Sequence, residues 1–288
     1  MDLMTLYAAH TPWAAAFGIA FGLIVGSFLN VVIGRYPVMM QRQWRAECAQ
    51  LQEQELPKAE PFNLATPNSR CPKCQSAIRW YDNIPVISWL LLRAKCRSCG
   101  TAISARYPLI ESLTGAVFGV LAWQFGMSID AGIYMLLAAL LIVLFFIDLD
   151  HMLLPDPFTL FVLWLGLGYA IYGGPVSLQD AVIGAMAGYL FLWSVYWIFK
   201  LLTGKEGMGY GDFKLLAAFG AWTGFQYLPV IIIAAAGSGA ILGLTLQWLR
   251  KTKAGQPIPF GPFLICGGVI TMVWGELILS TYWSWLAR

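Results

Sequence analysis

Two acidic residues stand where a carboxylate is costly. Asp148 closes the apolar run "LIVLFFIDLDH", and Asp212 opens "GDFKLLAAFGAW" just after Gly207, Gly209 and Gly211. Ionisable groups in or beside membrane-length apolar segments are expensive and mark functional candidates. Two carboxylates brought close cannot both ionise easily, so they share a proton. The charged member can act as general base on a water, while the protonated member polarises a carbonyl or protonates a leaving amine. That is the machinery of aspartic proteolysis. The glycines would let backbone approach the carboxylate and admit an extended peptide beside it. Plainer roles stay open at this point. Asp is a favoured helix N-cap, which suits Asp212, and Asp148 could simply end its span. Asp150 competes with Asp148, but two residues further on it faces a different side of a helix, toward water.

The other acidic residues have local explanations. Asp156, between Pro155 and Pro157, reads as a cap for the helix that follows. Asp130 and Asp180 sit at span starts, where a helix N-terminus favours negative charge. Glu111 reads as a partner for Arg106 or Arg97, and Glu276, deep in the last span, has no evident role. A metalloprotease is disfavoured: there is no H-E-x-x-H, and the only histidines are His10 and His151.

A second chemistry lies in the cysteines. Cys71 and Cys74 form "CPKC", Cys96 and Cys99 form "CRSC", and 21 residues separate the pairs. The pattern is slightly longer than the usual four-cysteine zinc template. Each pair can form a tight knuckle, and two knuckles complete a tetrahedral shell with no open position, so the zinc would be structural. Two disulfides or free thiols are the alternative. Cys48 and Cys266 stand alone, and Cys266 reads as packing.

These groups must be positioned by a chain that suits a bilayer. It has 288 residues, 59% hydrophobic and 11% charged, with a mean hydropathy of +0.67. A soluble domain carries roughly 25% charged residues. A membrane-spanning helix needs about 20 apolar residues. Eight spans are expected, at 13–34, 108–125, 130–147, 153–172, 179–199, 212–225, 227–249 and 260–284, the sixth short and Gly-rich. The fold class is therefore all-α and polytopic, with a small polar domain inserted after the first helix. The expected division is a first transmembrane helix at 1–35, a cytoplasmic zinc-binding domain at 36–107 and a membrane core at 108–288. Residues 39–55 read as an amphipathic arm ended by Pro57 and Pro61.

Charge sets the expected orientation. Eleven of the 18 Lys and Arg residues lie between Arg35 and Arg106. Lys200, Lys205 and Lys214 flank the loop between spans five and six, and Arg250, Lys251 and Lys253 follow span seven. Eight spans put all of these on one side, with Arg288 on the other. That side is the cytoplasm. Reduced thiols there favour a metal over disulfides. The N-terminus has no Lys or Arg before the first span, so it lacks the n-region of a cleavable signal peptide. The +3 net charge is spread through inner loops and does not point to nucleic acid.

Five segments together resemble one family, the bacterial type IV prepilin peptidases. They are "GSFLNVVIGRYP" (26–37), the two cysteine pairs flanking "YDNIPVISWLLLRAK", "RYPLIE" (106–111), "IDLDHMLLPD" (147–156) and "GMGYGDFK" (207–214). The resemblance covers nearly the whole chain. It implies a membrane aspartic protease with Asp148 and Asp212 as the catalytic pair, and it selects Asp148 over Asp150. It implies type IV prepilins and the pseudopilins of type II secretion as substrates, cut at the cytoplasmic face of the bacterial inner membrane. It also implies N-methylation of the new N-terminus with S-adenosylmethionine. No G-x-G-x-x-G fingerprint for that methyl donor occurs, so its binding residues are unassigned, with residues 26–35 and the acidic arm near Glu47 as candidates. The alternatives are a prepilin peptidase without methyl transfer, or a non-enzymatic zinc-stabilised membrane scaffold or transporter.

Overall fold

The structure, a computed structural model, describes residues 12–53, 61–249 and 258–287. The cations Arg250, Lys251, Lys253 and Arg288, and Pro57, Glu55, Glu60 and His10, lie outside the described residues. Two compact units divide the chain, at 7–143 and 144–288.

The first unit is built on a close pair of helices. Helix α1 (Pro12–Leu51) continues through Pro37 for 40 residues, so the first span and the expected arm are one helix. Helix α3 (Arg106–Phe125) packs along it. Gly18, Gly22 and Gly26 recur every four residues on the contact stripe. A Cβ there would lie 2.6 Å from Phe118 O, 2.7 Å from Thr114 O and 2.7 Å from Glu111 Cα, respectively. Small residues at this spacing let membrane helices touch through their backbones. Between the two helices, residues 61–105 hold only a 3₁₀ turn (Trp80–Asn83), the five-residue α2 (Ile87–Leu91) and two isolated bridges. Helix α4 (Ile129–His151) begins in this unit and carries Asp148 in the next.

The second unit surrounds one short helix. It contains α5 (Asp156–Tyr172), α6 (Leu178–Thr203), α7 (Tyr210–Thr223), α8 (Leu228–Trp248) and α9 (Gly261–Leu286). Helix α7 packs against α5, α6 and α9, and nearly all its residues from Asp212 to Thr223 are buried. Trp222 Nε1 donates to Val162 O of α5 at 2.9 Å. On the α6 side the contact is backbone on backbone: a Cβ on Gly220 would sit 2.1 Å from Gly184 O, and one on Gly184 2.2 Å from Gly220 O. Neither carbonyl can swing aside, so Gly220→Ala should destabilise the protein by about 1–3 kcal/mol, as overpacking does. A thermal unfolding midpoint in detergent unchanged by Gly220→Ala would contradict this crossing.

The eight long helices coincide with the eight expected spans, and there is no strand among the described residues. Six helices are long and apolar enough to cross a membrane, which fits a multi-pass membrane protein. The other two are α5, with 17 residues, and α7, with 14. Ser177 caps α6 by accepting from Asp180 N at 3.1 Å and donating to Asp180 Oδ2 at 2.7 Å, so Asp180 lies in a first turn as its sequence position suggests.

Candidate functional site

Asp148 and Asp212 are brought together within the second unit. Their relative exposures are only 5% and 7%, and the two carboxylates are near enough to interact electrostatically. Asp148 is held at the end of α4 and Asp212 in the first turn of α7. Asp150 and His151 are exposed. Asp212 does not cap its helix: Gly209 is the N-cap residue, in extended conformation, and Asp212 N bonds to Gly209 O at 3.2 Å. The helix thus begins at Tyr210, two residues before Asp212, and leaves the carboxylate for other use.

The glycines before Asp212 have separate jobs, none needing a positive φ. A Cβ on Gly207 would lie 2.8 Å from the Phe199 ring, and one on Gly211 would lie 2.7 Å from Leu154 Cβ. These two are spaces already filled by neighbouring side chains. Gly209 is the one beside the carboxylate, where a Cβ would be 3.7 Å from Asp212 Oδ2. Leu154, buried in the turn after α4, also reaches Gly261 at the start of α9. It therefore packs between the starts of α7 and α9, close to both aspartates.

Polar contacts hold the same segments. Lys214 Nζ donates to Asp156 Oδ1 at 2.6 Å, joining the start of α7 to the start of α5. Asp156 is the first residue of α5 and Pro155 the N-cap, so the expected capping role gives way to an ion pair. Lys200 of α6 donates to Glu206 at 2.8 Å and to Tyr196 Oη at 3.2 Å. It steadies the loop before Asp212, and it holds the Glu206 carboxyl below its ordinary range. Asp148 itself accepts a hydrogen bond at Oδ2 from the backbone N–H of Gly261, at 3.0 Å. Nothing in the residue type of Gly261 announced this contact. The only trace in the sequence is "GPF" before an apolar run, a helix-start signal.

The cysteines of the first unit also converge. The Sγ atoms of Cys71, Cys74, Cys96 and Cys99 lie within 4.8 Å of one another, and those of Cys71 and Cys99 are 3.8 Å apart. Zinc–sulfur bonds of about 2.3 Å place tetrahedral sulfurs roughly 3.8 Å apart. All four cysteines are free of disulfides. The knuckles repeat one plan: Cys71 N bonds to Ser76 O and Gln75 N to Cys71 O, just as Cys96 N bonds to Thr101 O and Gly100 N to Cys96 O. Both turn through a positive φ, at Gln75 (58°) and Gly100 (68°). Thr101 lowers the Cys99 thiol to about 6, through its hydroxyl and then its backbone N–H, and Ser76 lowers Cys74. Thiolates are the metal-binding form, so this donor set fits a tetrahedral metal ion. Cys266 is exposed on α9 rather than packed.

Other expectations need correction or find a structural use. Glu111 does not pair with Arg97. It accepts from Val86 N at 2.7 Å and from the Ser27 hydroxyl, while Arg97 forks onto Asp82 at 2.6–3.2 Å. Within 26–35, Asn30 donates to Tyr107 O at 3.1 Å, and Arg35 donates to Asn63 O at 3.0 Å and Pro67 O at 2.6 Å. The Asn30 bond joins α1 to α3, and the Arg35 bonds tie the inserted segment to α1. Glu47 accepts from Gln43 on the exposed end of α1.

A buried carboxylate pair in one unit of a helical membrane scaffold, and a four-thiol cluster in the other, define the class. Residues 20–125 match the bacterial peptidase A24 N-terminal domain, and residues 135–244 match the type IV leader peptidase family. The chain is 51% identical to the prepilin leader peptidase/N-methyltransferase of Stutzerimonas stutzeri, over 96% of each chain. It is 50% identical to the protein of that name from Pseudomonas aeruginosa, over 98% of each. It is 49% identical to that of Dichelobacter nodosus, over 93% of this chain and 94% of the relative. No solved structure matches. The chain belongs to the type IV leader peptidase family.

Proposed function

We propose that the chain is a bifunctional membrane enzyme. It removes the basic leader of type IV prepilins and pseudopilins, and it N-methylates the residue so exposed. The observation that carries the peptidase assignment is the meeting of Asp148 and Asp212, from two helices, in an apolar setting. One ionised carboxylate takes a proton from a water, and the resulting hydroxide adds to the scissile carbonyl carbon. The other carboxyl donates its proton to the carbonyl oxygen. Collapse of the tetrahedral intermediate breaks the C–N bond: the proton first taken from water passes to the leaving amine, and a hydroxyl of the intermediate returns its proton to the second carboxylate as the new carboxyl group forms. Burial strengthens each of these charge interactions relative to water.

Zinc on Cys71, Cys74, Cys96 and Cys99 would shape the inserted domain at 36–107, between the first span and a peptidase core at 108–288. With no open coordination position, its role is structural. The methyl group of the second activity comes from S-adenosylmethionine. Residues 26–35 are engaged in internal contacts, so no side chain of this chain is assigned to that donor. The distribution of Lys and Arg supports a bacterial inner-membrane protein with its active site at the cytoplasmic face, where a cationic leader ahead of an apolar helix would lie.

The test is incubation of the purified protein with a prepilin, followed by mass spectrometry. The expected result is loss of the leader, with the mass of one methyl group added when S-adenosylmethionine is present. Cleavage without added mass would leave a peptidase alone, and an intact prepilin would exclude the activity.

A further inference from the structure

We infer that Gly261 is a positioning residue for Asp148, through its backbone N–H and through the side chain it lacks. This rests on the proposed catalytic pair. Helix α9 begins Phe260–Gly261–Pro262, with Phe260 as the N-cap residue. The first N–H groups of a helix have no partner inside it. Here Pro262 has no N–H, while Phe263 N and Leu264 N both bond to Phe260 O at 3.1 Å. Among residues 261–264, Gly261 therefore holds the one backbone donor directed away from its own helix. That donor is buried and lies 3.0 Å from Asp148 Oδ2. Asp148 supplies from α4 the acceptor that a local capping side chain would otherwise provide. The positive end of α9 faces the same carboxylate, a favourable arrangement for an anion.

The missing side chain matters as much. A Cβ on Gly261 would lie 2.6 Å from Asp148 Oδ2 and 3.1 Å from Leu154 Cδ2. Both atoms are side-chain ends, which can move without breaking a helix contact. At Gly220 the obstacle is backbone, and at Gly268, two turns further along α9, it is the Phe219 ring at 2.2 Å. A methyl at those positions strains the fold. A methyl at Gly261 mainly displaces a carboxylate. Gly261 thus sets where one Asp148 oxygen sits, leaving the other oxygen for water and substrate.

The experiment compares Gly261→Ala, Gly261→Ser, Gly268→Ala and Gly237→Ala in the full-length protein. Gly237, on α8, has nothing within 4 Å of where its Cβ would be. Steady-state cleavage of a prepilin is measured beside methylation of a pre-cleaved pilin. For both Gly261 variants the expected result is a fall in kcat of about 100-fold, the scale of a small misplacement of a reacting group, with KM and methylation unchanged. Gly268→Ala should lower accumulation while kcat per folded molecule holds, and Gly237→Ala should do neither. A kcat for Gly261→Ala close to the parent overturns the proposal. So does a parallel loss of kcat and methylation, which would mark Gly261 as a folding residue only. Asp148→Asn and Asp212→Asn run alongside. If either cleaves at full rate, the catalytic pair itself is wrong; if both are dead and Gly261→Ala is active, only the positioning role is.

Discussion

Asp148→Asn and Asp212→Asn should each lower leader cleavage by roughly 10³–10⁴-fold, the scale of positioned acid–base catalysis, while the protein still accumulates in the membrane. Asn keeps the shape of Asp, so the packing of α4 and α7 is little disturbed. It can neither accept the proton of the attacking water nor return one to the leaving amine. The two residues act as a unit, so the double variant should be no slower than either single one. Asp150→Asn is the internal comparison: Asp150 is exposed two residues on and should leave the rate within a few-fold. The assay is prepilin cleavage by purified variants, normalised to folded protein. Full cleavage by either Asn variant excludes a pair mechanism, and a dead Asp150→Asn would move the site by half a helical turn. Methylation of a pre-cleaved pilin should survive in all three, because that reaction starts from a free amine and needs no peptide-bond hydrolysis.

The aspartates and the cysteines stood out in the sequence because each breaks its surroundings. A carboxylate bordering an apolar run can also cap or end a helix, and it was the resemblance that singled out Asp148 and Asp212 as a pair. The importance of α7 was much less legible. Hydropathy reports how well a helix suits lipid, and α7 meets little lipid: its residues from Asp212 to Thr223 lie among other helices. A helix sheathed in this way does not need 20 apolar residues. It needs small ones such as Gly220, where a neighbour crosses closely. Hence the least convincing span carries half of the proposed catalytic pair. Arg97, one of the two partners expected for Glu111, failed for a related reason. Sequence displays formal charges such as Arg97, but the carboxylate is satisfied by Val86 N–H and Ser27, and backbone amides leave no mark in a residue string. Gly261 was invisible on both counts, since it works through an amide and an absent side chain. Asp156 was misread as a cap because its partner, Lys214, is 58 residues away.

Removal of zinc should unfold the inserted domain, the second large effect. Between residues 61 and 105 the only buried apolar side chain is that of Cys71, one of the four candidate zinc ligands, while Trp80, Ile87, Leu90 and Leu91 are all exposed. Regular structure there amounts to one 3₁₀ turn and one five-residue helix. A segment with so little core cannot offset the entropy of ordering its backbone, roughly 1–2 kcal/mol per residue. Zinc bound to four thiolates contributes on the order of 10–16 kcal/mol, and its ligands come from both ends of the segment, so one ion closes the whole loop. Cys96→Ser, or treatment with a strong chelator, should abolish zinc retention and make residues 61–105 sensitive to protease. The helices α5 to α9 of the second unit, which pack on one another, should remain protected. The parent protein should carry one zinc per chain by elemental analysis. A protein without zinc whose inserted domain resists protease would refute a structural metal. Added zinc should restore protection to the chelated parent but not to Cys96→Ser, which separates loss of the ion from general damage to the fold.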